Sequence, residues 1–98
     1  MHARVSRIAG SPQNVEQGIS AFKNSTLSQV TSTDGNKGAI LLVDRESGTA
    51  LALTLWQDEE AMQASEETAN QLRQAASEEM GAGGQAQVER YEVVVFET

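Results

Sequence analysis

Six side chains in this sequence bring groups that could bind or transform a ligand: His2, Arg4, Asp44, Thr54, Trp56 and Tyr91. Arg4 supplies a permanent cation able to steady a phenolate, enolate or peroxide as negative charge develops. The same guanidinium, if buried, needs a carboxylate, and Glu92 or Asp44 on neighbouring elements could serve. Asp44 is a candidate general base, although an Asp ahead of a turn also serves the turn itself. Tyr91 offers a phenol that can donate to a ligand carbonyl or pass a proton; it can equally pack at a subunit seam with its hydroxyl wet. Trp56 gives an indole wall for a planar ligand to stack on, or a plug that closes one end of the fold against the second helix. His2 is the sole imidazole, the side-chain type that exchanges protons near neutrality, but its place beside Met1 favours fraying.

The elements that must position these groups follow from periodicity. Residues 2–8 read as a short strand with Arg4 on the same side as His2, Ser6 and Ile8. Gly10, Ser11 and Pro12 punctuate it, with Ser11 a candidate N-cap and Pro12 a good first helical residue. From 14 to 30 a helix is expected, because Val15, Ile19, Phe22 and Val30 fall on one stripe with Thr26 in the gap. Residues 38–56 predict two strands and a tight turn, both apolar at nearly every position. Asp58 is a candidate N-cap for a second helix running to about Met80, with Ala61, Met62, Ser65, Ala69, Leu72 and Ala76 on its buried stripe. The glycine-rich stretch 81–84 stops it, and a last strand is expected from Gln87 to about Glu97.

For the hairpin, a three-residue loop with Gly48 at positive φ would pair Arg45 with Thr49. That register sets Leu41, Val43, Leu51, Leu53 and Leu55 on one face, fit for helix packing. It sets Ile40, Leu42, Asp44, Ala50, Ala52, Thr54 and Trp56 on the other, a mixture suited to a partly open interior. Trp56, Thr54, Ile40 and Leu42 are therefore candidate substrate contacts, with Arg4, Tyr91 and Asp44 the candidate catalytic groups.

The order β-α-β-β-α-β describes a ferredoxin-like α+β sandwich, a four-stranded antiparallel sheet with both helices on one side. Strands apolar on both faces need cover on both. Two helices shield only one, so a second copy of the chain is the expected roof, giving a homodimeric barrel. The 98 residues suit a single domain, residues 1–98.

Composition removes whole classes of function. Seven Lys and Arg against fourteen Asp and Glu leave a net charge of −7, with no basic cluster to displace counterions from phosphates. Nucleic acid and anionic membrane surfaces are poor partners for such a chain. Cysteine is absent, which removes thiolate chemistry and Cys-based metal sites, and one His with no spaced carboxylate set predicts no metal. The N-terminal stretch lacks the apolar core of a signal peptide, so a cytoplasmic protein is expected.

At residues 38–45, 53–61 and 89–93 the chain resembles the antibiotic biosynthesis monooxygenase-like family of dimeric α+β barrels. The likeness is sharpest at Trp56 followed by the acidic helix start Asp58-Glu59-Glu60. It implies two facing sheets in a dimer with a pocket per subunit between sheet and helices. It also implies cofactor-independent oxygenation of a small aromatic or enolisable metabolite. Two positions depart from the oxygenase pattern: Ala52 stands where an Asn would fit, and Met62 where a Tyr would. The second helix has no His to hold haem iron. A non-catalytic ligand-binding dimer, or a barrel with a filled interior, are the alternatives.

Overall fold

The hairpin settles how the sheet is organised, and its turn chemistry explains why. In the computed structural model, which describes residues 1–79, 81 and 86–98, strand β2 (Asn36–Asp44) leads into β3 (Thr49–Trp56) through four residues, 45–48. The Asp44 carboxylate accepts from the backbone N–H groups of Glu46 at 3.0 Å and Ser47 at 3.4 Å. Gly48, at φ 79°, donates its N–H back to the Asp44 carbonyl at 2.8 Å. A Cβ on Gly48 would lie 2.4 Å from the Ser11 backbone, so glycine is required there for space as well as for its dihedral.

This four-residue loop opposes Asp44, not Arg45, to Thr49. The three-residue loop expected from the sequence is thus corrected, because the Asp44 side chain draws Arg45 into the turn. In a strand, a one-residue shift exchanges the faces of every side chain. Leu41 and Val43 therefore join Ala50, Ala52, Thr54 and Trp56, whereas Ile40 and Leu42 join Leu51, Leu53 and Leu55.

The remaining strands are β1 (His2–Ala9) and β4 (Gln87–Glu92). All pairings are antiparallel and the order is β2-β3-β1-β4, the α+β ferredoxin-like arrangement expected. Strand β4 is shorter than the sequence suggests. Its neighbour β1 pairs His2 with Glu92, so Val93 finds only the Met1 carbonyl, at 2.9 Å. Beyond it Val94 and Val95 have no ladder partner and are about 80% exposed (81% and 79%).

Both expected helices are broken. The first consists of a 3-10 turn (Pro12–Asn14), α1 (Val15–Ala21), a π segment (Phe22–Thr26) and α2 (Leu27–Thr31). Ser11 makes no side-chain cap. The second divides at Ser65 into α3 (Glu59–Ala64) and α4 (Glu66–Glu79). Asp58 caps α3 as expected, its carboxylate accepting from the Ala61 N–H at 2.8 Å. The expected helix end at Met80, and residues 82–84 of the glycine-rich stop, lie outside the described residues. A small core of Ile8, Val15 and Ala50, with Ile19, Leu41, Val43 and Ala76 against it, joins the sheet to α1 and α4.

Candidate functional site

Between the helix-facing side of the sheet and the helices lies a cavity of about 290 Å³. Its floor comes from alternate residues of the central strands: Arg4, Ser6 and Ile8 from β1, Ala50, Ala52, Thr54 and Trp56 from β3. The small side chains of this floor leave the volume open. Ile19, Phe22 and Thr26 close one wall, and Ala69, Leu72 and Arg73 of α4 the other. The π segment widens the first helix where it meets the cavity, a distortion common beside functional sites.

Arg4 organises the deep end. It is 2% exposed, and its Nη2 donates to the Met62 carbonyl at 2.6 Å and to Ser65 Oγ at 2.8 Å. The Met62 carbonyl belongs to the last turn of α3, where helical partners run out and a guanidinium is a favoured donor. Ser65 donates to that same carbonyl at 2.7 Å, which accounts for the break between α3 and α4. Arg4 also meets Glu66, with Nε at 3.3 Å and Nη2 at 3.2 Å from Oε1. Arg90 grips the same carboxylate through both oxygens, at 2.7 and 2.8 Å. This fork and the nearby Arg4 charge hold the Glu66 carboxyl at about 2, although its partial burial pushes the other way. Burial lowers the pKa of Arg4, and Glu66 works against that shift. The guanidinium stays charged.

Trp56 is 1% exposed. Its indole N–H donates to Thr54 Oγ1 at 2.9 Å, which fixes the ring, and the Arg4 guanidinium carbon lies 5.5 Å from the ring centroid. A cation over an indole at that range is attracted by the ring's quadrupole. Arg4 Nη1 has no hydrogen-bond partner among the described residues.

Of the residues singled out in the sequence, the cavity brings together Arg4, Thr54 and Trp56. It does not include Asp44, Tyr91, Ile40 or Leu42. The register correction moves Ile40, Leu42 and Asp44 to the outer face, and Asp44 spends its carboxylate on the turn. Tyr91, opposite Ala3 on that outer face, is 52% exposed and donates its hydroxyl to Glu89 at 2.6 Å. That bond raises its pKa. The carboxylate partner of Arg4 is Glu66, in place of the Glu92 or Asp44 expected. His2 lies 4.0 Å from Glu59 at the sheet's end and does not line the cavity.

Arg73 went unnoticed in the sequence. It is half-buried in the cavity wall, and its buried Nη1 has no partner among the described residues. Burial lowers its pKa and the Arg4 charge adds to the effect. A signal existed: no acidic residue stands three or four positions from Arg73, where helical salt-bridge partners sit. Among the described residues no carboxylate, imidazole or phenol lines the cavity; its polar groups are hydroxyls and two guanidiniums. The described residues hold no cluster of potential metal ligands and no helix long and apolar enough to cross a membrane.

No protein-family model matches the chain. Two uncharacterised proteins of Mycobacterium tuberculosis are similar to it, 33% and 32% identical over 96 residues. Each match takes in 98% of this chain but 40% and 42% of the relative, so the chain spans about two fifths of the length of the curated relatives it matches. Solved structures share the fold. A monooxygenase of Streptomyces coelicolor in complex with nanaomycin D superposes with a TM-score of 0.76 at 13% identity, over 99% of this chain and 92% of that one. An antibiotic biosynthesis monooxygenase-like protein of Nitrosomonas europaea gives 0.76 at 14%, over 97% of this chain and 100% of its own. A protein of unknown function from the same organism gives 0.73 at 19%, over 99% and 92%. The fold is that of the antibiotic biosynthesis monooxygenase-like proteins.

Proposed function

We propose that this protein is a cofactor-independent monooxygenase acting on a small aromatic or enolisable metabolite within the cavity of each subunit. The observation that carries the reading is the Arg4 guanidinium, buried over Trp56 with no partner for Nη1 among the described residues, at the end of a chamber lined mainly by aliphatic side chains and hydroxyls. Such a chamber would shield a planar substrate from water, and Arg4 offers a fixed positive charge where an oxyanion develops. The chemistry balances without a cofactor. A substrate methylene gives its proton to water before the substrate enters, its carbanion adds dioxygen to form a C–O bond, and the peroxide takes a proton back from water. Cleavage of the O–O bond then leaves a carbonyl and releases water. Trp56 would hold the ring, and Arg4 would steady the enolate and the peroxide oxygen.

The working unit is a homodimer in this reading. Ile40, Leu42 and Tyr91 on the outer face are 41–52% exposed, an apolar surface that a second copy would cover. The S. coelicolor fold relative, a monooxygenase with a bound ligand, favours the same class of activity.

Oxygen uptake tests the proposal. With an anthrone-like or dihydroxynaphthalene compound and no added cofactor, the protein should consume dioxygen, and Arg4→Met should abolish that consumption. A compound that binds without any oxygen uptake would sink the oxygenase reading for its class and leave a binding protein.

A further inference from the structure

Resting on that reading of the cavity, we infer that Arg73 is the anchor of an anion subsite, and that the pocket's ligand is a small aromatic or enolic acid that enters already ionised. Three features converge on this. The first is an unspent cation. Arg73 Nη1 is buried in the wall of the chamber without a partner among the described residues, and a buried donor left unmade is costly. Glu66, the nearby carboxylate, is bonded to Arg4 and Arg90 and acts on Arg73 only as a charge at a distance.

The second is the local charge balance. In and beside the cavity three guanidiniums, Arg4 and Arg73 in its lining and Arg90 outside it, neighbour one carboxylate, Glu66, in a chain whose net charge is −7. Positive charge is thus gathered beside this cavity in an acidic protein. Arg73 lies seven residues beyond Glu66 on α4, so it sits two turns, roughly 10 Å, along the same helix face. A ligand with its anionic oxygen on Arg73 would lay its ring over the apolar floor and reach toward Arg4.

The third is the absence of a base. Among the described residues the lining has no side chain able to take a proton at neutral pH. The chamber can hold an anion but has no means to make one, which selects ligands that ionise in water. The volume of about 290 Å³ lies at the small end of ligand pockets, which suits a small aromatic acid.

The test compares 2-naphthoate with the neutral, similarly shaped 2-naphthamide by isothermal titration calorimetry. Neither compound needs to turn over, so the outcome is independent of the oxygen-uptake experiment. Wild type should bind the carboxylate at least tenfold more tightly than the amide. Arg73→Met should abolish that preference while leaving amide affinity within about twofold, and Arg73→Lys should keep part of it. Equal affinities in the wild type, a preference that survives Arg73→Met, or no binding of either compound at millimolar concentration would each overturn the inference. Unchanged circular dichroism and melting of Arg73→Met exclude a folding defect as the cause.

Discussion

The two faces of one sheet are built from the same strands and arrive at opposite solutions. Toward the helices, Ser6, Ala50, Ala52 and Thr54 surround Arg4 and Trp56, and their small volumes leave a chamber that the helices roof but do not fill. Away from the helices, exposed Ile40 and Leu42 lie beside half-buried Leu51 and Leu53 and buried Leu55, an aliphatic surface whose outer edge lacks cover. The contrast teaches that cavity formation here depends on side-chain volume, and that hydrophobicity alone does not separate a site from an interface. Both faces are apolar. The one with small residues and a buried cation carries the cavity.

That contrast can be broken from either side. The largest effect should come from Arg4→Met, which removes three hydrogen-bonding partners from the α3–α4 corner and leaves a buried carbonyl and hydroxyl underserved. A loss of about 3 kcal/mol in unfolding free energy is expected from urea titration; an unchanged midpoint would deny Arg4 its organising role. On the outer face, Leu42→Glu places a charge where the side chain is already 49% exposed, so the subunit should still fold. Light scattering should show the proposed dimer of the wild type replaced by a monomer in the variant, with association weakened at least 100-fold, about 2.7 kcal/mol. A wild type already monomeric at micromolar concentration would remove the proposed roof.

Filling the chamber sharpens the comparison. Ala52→Leu adds volume at the cavity floor and should cost about 1–2 kcal/mol of stability through crowding. It should also weaken 2-naphthoate binding by tenfold or more without altering the oligomeric state. The smallest effect concerns acid. Glu66 ionises at about 2 in the folded protein against an ordinary 4.5, so its contribution is complete above 4.5 and lost as the pH falls toward 2. Glu66→Gln should be less stable at pH 7 and should show a shallower decline across that window; parallel melting curves in the two proteins would contradict the bridge.

Much of this was legible in the sequence. Element order, the antiparallel sheet, the Asp58 cap and the positive φ of Gly48 all follow from local chemistry that neighbours do not override. What escaped was set by single side chains acting beyond their own segment. The Asp44 carboxylate lengthened the turn by one residue and so exchanged the faces of Leu41 and Ile40. Arg4, sixty-two residues before Glu66 in sequence, drew on the Met62 carbonyl at the break that divided the second helix. No periodicity argument registers either contact. Arg73 was different: its lack of an acid three or four residues away is visible in the sequence, but that spacing alone does not place its side chain in a cavity wall.

The shared grip of Arg4 and Arg90 on Glu66 has one more effect. It rivets the start of α4 to two adjacent strands at the same point, so that end of the helix cannot drift outward alone. The opposite wall, where the π segment lies, has no comparable clamp to the sheet among the hydrogen bonds of the described residues. One side of the chamber is thereby pinned at its deep end, and the two walls are held by different means.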